Sequence, residues 1–270
     1  MFTYQAHASP LHRVNPSIKL ITMTAVGLAA TFVYHPFVPG LLALGLWLTA
    51  WWFGRLPFRL MLRWTGYMLA LAWPLVIFTA LYTDLSRYPQ PHIYWSWGPW
   101  ALSREGWVVA SAVGLRMIVF MSASLLFIAT TSPTDFAMSL AQNLHVPYRF
   151  AYGLLVAYRF LPSLRQEFQL LQLAHQVRGV AARPGLRGLV ERWRRYATPL
   201  LAASLRKAER TALAMDAKAF GAFPERTYYR QLPIRGRDVG FLLIWLVYIA
   251  VVYALAARWH MLGWMWVPDA

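Results

Sequence analysis

The sequence predicts an all-α membrane protein with about five transmembrane helices and two long amphipathic helices on the cytoplasmic side. Its 270 residues are 59% hydrophobic and only 13% charged, whereas a soluble domain has about 45–50% apolar and about 25% charged residues. The apolar residues are clustered, and most of the net charge of +16 lies between the clusters. The absence of cysteine excludes disulfides, thiolate metal sites and a cysteine nucleophile.

Five apolar stretches approach the ~20 residues that a helix needs to cross a bilayer. They are Leu20–Tyr34, Phe37–Phe53, Leu60–Tyr82, Gly106–Thr130 and Val239–Ala257. The first two are short and lie close together, which predicts a tight helical hairpin. The third contains Pro74, which a membrane-spanning helix tolerates with a kink.

The distribution of Lys and Arg predicts the orientation of the chain. Most of these 26 residues lie in the N-terminal tail, in the loop before the third stretch, and in region 131–237. Five spans put these three regions on one side, so we expect a cytoplasmic N-terminus and an outer C-terminus. Charge that follows membrane topology also argues against a nucleic-acid partner. The predicted domains are a four-span membrane domain over 1–130, a cytoplasmic domain over 131–237, and a last span with a short outer tail over 238–270.

The predicted outer loop, 83–105, is rich in Tyr and Trp. We interpret these residues as an interfacial aromatic belt on an ordered loop. A substrate-contacting aromatic box is the alternative.

The basic region opens with "TTSPTDF". Ser132 can cap a helix that has Pro133 at its first position and Asp135 in its first turn. The apolar run "VPYRFAYGLLVAYRFLP" follows, interrupted by Arg149 and Arg159. With only ~15 residues between its prolines it is too short and too basic to span. We expect it at the cytoplasmic interface, with a partial span over 147–161 as the alternative.

Two amphipathic helices are predicted next. The run "SLRQEFQLLQLAHQVRG" repeats apolar residues at helical spacing until "RPGLRG" interrupts it. A second helix over 199–220 carries a narrow apolar stripe, whose small residues would let another helix approach closely. The stripe consists of Leu201, Leu205, Ala208, Ala212, Met215 and Ala219.

Both predicted helices end in a cation and a glycine. Arg178 precedes Gly179 in "QVRG", and Lys218 precedes Gly221 in "DAKAFG". Glycine can adopt the left-handed conformation that ends a helix, and a cation complements the negative helix end. These effects explain each site alone. The shared arrangement also suits a rigid cation that enters an acidic groove on a partner. His175 lies three residues before Arg178 on the same face, so we expect it in the same docking surface.

Taken together, these motifs resemble the transmembrane T component (EcfT/CbiQ-like family) of energy-coupling factor (ECF) ABC importers for vitamins and metals. The matching segments are "SPLHRVNPSIKL", "TTSPTDF", "LHVPYRFAYGLLVAYRFLP" and the two helix ends. They occur in the family's order from about residue 9 to about residue 257.

The resemblance implies a non-catalytic coupling subunit in the cell membrane of a prokaryote. Arg178 and Lys218 would seat in grooves of two ATP-binding ABC ATPase subunits, whose closure would move the two coupling helices. That motion would pass to a small membrane substrate-binding (S) subunit that carries a vitamin, a vitamin precursor or a transition metal ion. The sequence has no phosphate-binding loop of the G-x-x-x-x-G-K-[ST] type, so energy must come from a partner.

Both helix ends depart from the family's Ala-Arg-Gly pattern. Val177 replaces the first alanine, and the second motif has lysine in place of arginine, with two residues before Gly221. Lysine lacks the bidentate fork of arginine, which predicts a weaker or differently shaped second contact. The second motif is similar to "RAFG" forms in T components of thiamine-precursor importers.

The remaining polar residues point to no catalytic, cofactor or metal site. No pair of the seven histidines has the H-x-x-x-H or H-E-x-x-H spacing of a metal site. Arg116 is an intramembrane charge, a functional candidate that could instead snorkel or donate to a carbonyl of a neighbouring helix. A self-sufficient channel or secondary transporter is the alternative function, although Arg116 is the one charge well inside a span. A lipid-modifying membrane enzyme would need a His/Asp/Glu cluster that the sequence lacks.

Overall fold

The computed structural model describes residues 9–55, 57–83, 92–97, 100–178, 186–223, 227–259 and 261. Within these ranges the chain forms a short 3-10 helix, eight α-helices and one two-stranded sheet. The bounds are Pro10–Arg13 for the 3-10 helix, then α1 Pro16–Thr31, α2 Phe37–Trp52, α3 Phe58–Tyr82, β1 Ile93–Trp97, β2 Trp100–Ser103, α4 Arg104–Thr130, α5 Pro133–Asn143, α6 Tyr148–Val177, α7 Leu186–Asp216 and α8 Gly236–Arg258. The predicted all-α membrane fold is confirmed.

The five predicted apolar stretches correspond to helices α1, α2, α3, α4 and α8. Three of them, α3, α4 and α8, are long and apolar enough to cross a membrane. Helices α1 and α2 are apolar but have only 16 residues each, or about 24 Å at 1.5 Å per residue. That is shorter than the ~30 Å hydrocarbon core.

The chain divides into two compact units. A membrane unit comprises Met1–Ser139 and Leu232–Ala270, and a helical-hairpin unit comprises Leu140–Gln231. The proposed boundaries at 131 and 237 therefore remain a prediction.

In the membrane unit, α4 packs against α1, α2 and α3, and α8 packs against α1 and α2. Small residues permit close approach, as expected where helices associate in lipid. A Cβ at Gly45 of α2 would lie 2.6 Å from the ring of Tyr248 in α8. The hydroxyl of Tyr248 donates to the carbonyl of Leu41 at 2.6 Å, which fixes the contact from the other side.

The aromatic loop contains an antiparallel pair of strands that the sequence analysis did not predict. In β1 and β2, Ser96 pairs with Ala101 and Trp97 with Trp100. Tyr and Trp have high strand propensity, and "IYWSW" in front of Gly98-Pro99 was the available signal. The ordered loop was predicted without its secondary structure.

The helices of the hairpin unit are longer than predicted, and three of their predicted boundaries are corrected. Residues 147–161 do not form a separate element, because α6 continues through Pro162 to Val177. Helix α7 begins at Leu186 rather than at 199, includes Pro199, and ends at Asp216 rather than at 220. An interior proline removes one backbone hydrogen bond and kinks a helix, but packing along both helices maintains them here.

Candidate partner-docking site

Helices α6 and α7 pair in an antiparallel hairpin along their length. The start of α7 faces the end of α6, and the end of α7 faces the start of α6. The ring pairs along the hairpin are Tyr196 with Phe168 at 5.5 Å and with His175 at 5.3 Å, and Phe220 with Tyr148 and with Tyr152, both at 5.7 Å. Between them, Lys207 donates to Ser163 Oγ and lies over the Phe160 ring at 5.6 Å.

Lys207 is a residue whose role the sequence analysis missed. The predicted stripe put Leu201 and Leu205 on the contact face and Lys207 on another. In the structure Leu201 and Leu205 are 69% and 72% exposed, and Lys207 faces α6. Aromatic residues at Tyr196 and Phe220 were the signal for the true contact face.

The antiparallel pairing places the two predicted docking cations at opposite ends of the hairpin. Arg178 follows α6, and Lys218 follows α7, whose end packs on the first turns of α6. Helix α6 has 30 residues, which corresponds to about 45 Å at 1.5 Å per residue. The two cations are therefore separated by about the length of the hairpin.

The end of α7 is a Schellman turn closed by Ala219. The amide of Phe220 donates to the Met215 carbonyl at 3.0 Å, and the amide of Ala219 donates to the Asp216 carbonyl at 2.8 Å. Ala219 has φ 56°, the left-handed conformation that usually favours glycine at this position. Lys218 is the residue before it and is exposed. The expectation that Gly221 ends this helix is wrong, because Ala219 occupies the left-handed position.

Gly221 instead belongs to a contact that holds the Lys218 turn against α6. Its φ is 93°, and its carbonyl accepts a hydrogen bond from Arg149 Nη2 at 2.6 Å. The hydroxyl of Tyr148 donates to the Phe223 carbonyl at 2.8 Å. A Cβ at Gly221 would lie 3.1 Å from Arg149 Nε. The start of α6 thus positions the turn that carries Lys218.

The end of α6 is an exposed tip without such a clamp among the described residues. Val177 is 90% exposed, and Arg178 is exposed at the C-cap, with its amide donating to the Ala174 carbonyl at 3.2 Å. Gly179 lies outside the described residues. His175 is directed into the hairpin, where its ring contacts Tyr196. Its role in a docking surface stays a prediction.

Arg116 of α4 is satisfied by the end of α1. Its Nε donates to the Ala30 carbonyl and its Nη2 to the Val33 carbonyl, both at 3.0 Å. Its guanidinium also lies over the Tyr34 ring at 5.6 Å. The last carbonyls of a helix lack partners inside the helix, so Arg116 fulfils a capping role between two helices.

A buried lysine connects the N-terminal motif with the "TTSP" turn, and the sequence analysis did not single it out. Lys19 of α1 is 1% exposed. Its Nζ donates to the Thr130 carbonyl at 3.0 Å, to Thr130 Oγ1 at 3.2 Å and to Thr131 Oγ1 at 3.2 Å. All three protons of the ammonium therefore have acceptors, which a buried charge requires.

A buried aspartate lies in the first turn of α8. Asp238 is 1% exposed, and its carboxylate accepts from the amide of Asn15 at 3.0 Å and of Arg235 at 2.8 Å. Asn15 Nδ2 donates to the Leu232 carbonyl at 2.9 Å, and Ser17 Oγ donates to the Ser139 carbonyl at 3.1 Å. Ser139 and Leu232 are the residues at which the membrane unit ends and resumes.

No group of three or more potential metal ligands occurs among the described residues. Lys19 and Asp238 are hydrogen-bonded to neighbouring groups of the chain, and the cations at the hairpin ends are exposed. The exposed cations are suited to contacts with an acidic partner.

The chain is similar in sequence to known proteins over most of its length. The family model described as "Cobalt transport protein" (CbiQ) matches residues 7–229. The energy-coupling factor transporter transmembrane protein EcfT of Limosilactobacillus fermentum is 30% identical over 256 residues, which cover 92% of this chain and 93% of that protein. EcfT of Bacillus subtilis is 26% identical over 265 residues, which cover 94% and 97%.

A third relative is longer. A protein of Bifidobacterium longum named as an ABC transporter ATP-binding protein is 28% identical over 166 residues. The match covers 58% of this chain and 21% of that protein.

Proposed function

Because the chain belongs to the family of transmembrane T components of ECF transporters, we propose that it is the coupling subunit of an ECF-type ABC importer. It transmits the ATP-driven motion of two ATPase subunits to a small membrane S subunit and has no catalytic role of its own. The observation that carries this proposal is the pair of exposed cations at opposite ends of one antiparallel hairpin.

Each end of the hairpin suits one groove of one ATPase subunit. Arg178 and Lys218 are exposed, and neither forms an ion pair with another described residue. A charge of this kind gains most when it enters an acidic groove that is removed from water. A separation of about 45 Å exceeds the reach of one groove, so the two cations engage two subunits.

The apolar stripe of α7 supports the proposal of an S subunit. Leu201 and Leu205 are 69% and 72% exposed, and the small residues Ala208 and Ala212 of the same stripe are also exposed. Such a surface favours close packing of a helix from a hydrophobic partner. The S subunit would supply the substrate specificity, for a vitamin, a vitamin precursor or a transition metal ion, and the "AKAFG" motif favours a thiamine precursor.

The connections between the hairpin unit and the membrane unit lie next to the buried polar network. Ser139 and Leu232 accept hydrogen bonds from Ser17 and Asn15, and Asp238 ties Asn15 to the start of α8. A force transmitted through either connection would therefore act first on α1 and α8. We assign this network the task of holding the membrane unit rigid where the hairpin is attached.

The docking role is tested by reversing the two charges separately. Arg178→Glu and Lys218→Glu should each abolish co-purification of ATPase subunits from native membranes, because like charges would meet in the groove. Arg206→Glu, at an exposed position in the middle of α7, is the matched control and should leave co-purification unchanged. Retained ATPase in both tip variants, or transport by the chain alone, would overturn the proposal and favour a self-sufficient transporter.

The proposed topology has a cytoplasmic N-terminus and a cytoplasmic hairpin in a prokaryotic cell membrane. The natural sequence has no cysteine, so single cysteines can be introduced without a background. We expect Gln176→Cys in α6 to react with a membrane-impermeant maleimide only after the cells are opened. Labelling in intact cells would show that the hairpin lies outside the cell and would contradict the proposed topology.

A further inference from the structure

The membrane unit contains a cleft that the coupling role does not use. It has a volume of about 710 Å³ and lies between the 3-10 helix, the end of α2 and the first turns of α8. Its apolar wall includes Leu11, Phe53, Phe241 and Trp245. Three arginines, Arg13, Arg55 and Arg237, line the same cleft.

The three arginines are exposed, and among the described residues carboxylates balance them only in part. The side chains of Arg13 and Arg55 form no hydrogen bond or ion pair with another described residue, and Arg237 has one long contact of 3.7 Å from its Nε to Asp238 Oδ1. Asp238 contributes one negative charge beside Arg237, and its two oxygens also accept backbone amides. The cleft thus carries an excess of positive charge beside apolar side chains.

Arg55 is also held in an unfavourable backbone conformation. Its φ is 50°, in the left-handed region that costs an L-residue about 1 kcal/mol or more. Strained residues of this kind tend to occur at binding sites, where the surrounding structure maintains them. The strain at this position is therefore consistent with a ligand that uses the Arg55 side chain.

The surroundings of the cleft indicate a lipid environment. Trp51 and Trp52, just before the end of α2, are 56% and 73% exposed, and exposed Trp marks the level of lipid headgroups. Ile244 lines the cleft and is 68% exposed, and Val247 one turn further along α8 is 61% exposed. An apolar surface of α8 thus continues from the cleft toward the bilayer core.

From this combination we propose that the cleft binds an anionic phospholipid. The phosphate accepts hydrogen bonds from the guanidinium groups, which match phosphate oxygens in a bidentate manner. The acyl chains lie along the apolar wall and the exposed surface of α8. Basic pockets between membrane helices recognise anionic headgroups in this way. The lipid wedges between the N-terminal segment and α8, beside the Asn15–Asp238 contact.

The test measures lipid retention on the full chain, purified in detergent with the subunits that accompany it. The complex is delipidated and titrated with phosphatidylglycerol or phosphatidylcholine, and bound lipid is counted by native mass spectrometry. We expect at least about a tenfold preference for phosphatidylglycerol, on the basis of three nearby arginines. Excess inorganic phosphate should not displace it, because phosphate lacks acyl chains.

Two variants with matched controls locate the site. Combined Arg13→Gln, Arg55→Gln and Arg237→Gln should remove the preference, while Arg59→Gln, an exposed arginine outside the cleft, should not. Gly240→Trp should occlude the cleft without changing any charge, because nothing lies within 4 Å of a Cβ at Gly240. Gly66→Trp, at a similarly open position in α3, is its control.

Gly240→Trp changes no charge, so it tests the proposal even if the triple arginine variant inserts poorly into the membrane. Unchanged phosphatidylglycerol retention in Gly240→Trp would overturn it, as would equal retention of phosphatidylcholine by the wild type. Displacement by inorganic phosphate would show a simple anion site. Loss of a co-purifying membrane subunit, with lipid retention unchanged, would show a protein interface.

Discussion

The buried lysine of the membrane unit and the exposed cations at the hairpin ends use positive charge in opposite ways. In the membrane unit, Lys19 is 1% exposed and all of its ammonium protons have acceptors. In the hairpin unit, Arg178 and Lys218 are exposed at the two ends of the hairpin. The Lys19 charge is satisfied within the chain, and the hairpin charges are available to another molecule.

The buried charge stabilises the fold, whereas the exposed charges are accessible to a partner. A buried charge must be fully hydrogen-bonded, and removal of one partner leaves the other unpaired at a cost of several kcal/mol. An exposed charge contributes little to stability but can contribute strongly to association. Substitutions of the buried charges in the membrane unit should therefore act on folding, and substitutions at the hairpin ends should act on assembly.

The largest effect on stability is expected for Asp238→Ala. The change leaves the amides of Asn15 and Arg235 without their acceptor, and we expect a loss of about 3 kcal/mol in the free energy of unfolding. Unfolding in mixed micelles, followed by circular dichroism, measures it. Asp216→Ala, at an exposed carboxylate in the hairpin unit, should change stability by less than about 0.5 kcal/mol. Equal losses in both variants would contradict the distinction between the units.

An intermediate effect is expected for Arg149→Ala, which tests whether the Lys218 turn depends on its contact with α6. The substitution removes the hydrogen bond to the Gly221 carbonyl and should cost about 1 kcal/mol. It should also weaken ATPase association several-fold, because the turn that carries Lys218 loses its support. Arg159→Ala, an exposed arginine of the same helix, is the control. Wild-type affinity in Arg149→Ala would show that Lys218 needs no positioning.

The smallest effect is expected for Ala219→Gly. Glycine relieves the left-handed strain at φ 56° but adds chain entropy to the unfolded state, so we expect a net gain of about 0.5 kcal/mol. Ala217→Gly, two residues earlier, should instead lose about 0.5–1 kcal/mol, since Ala217 continues the helical hydrogen bonds at 2.9 Å to Leu213. Thermal unfolding of both variants gives the sign of each change, and a loss in Ala219→Gly would rule out relief of strain.

Hydrophobic runs predicted most of the fold because they depend on local composition. The five apolar helices and the start of α5 at Pro133 follow from the sequence. The continuity of α6 through Pro162 and of α7 through Pro199 does not, because packing between the two helices outweighs the local preference of proline. The aromatic pairs that hold the hairpin involve residues far apart in the chain, and one sequence cannot show which of them meet.

The same limit applies to the candidate site. The cations Arg178 and Lys218 stand out as sequence motifs, but the support of the Lys218 turn is a tertiary contact. In the sequence, Arg149 is only an interruption of an apolar run. In the structure it holds the Lys218 turn through a hydrogen bond to the Gly221 carbonyl. Lys19 had no visible partner in the sequence, because Thr130 and Thr131 are more than a hundred residues away.

The unequal ends of the hairpin have a consequence for symmetry. One end presents a guanidinium on a plain helix end, and the other presents an ammonium on a Schellman turn buttressed by Arg149. If two identical ATPase chains bind here, the contacts make them inequivalent, and an ideal two-fold axis through the assembled pair is lost. The asymmetry of the whole complex would then come from this hairpin, because its two ends differ in structure.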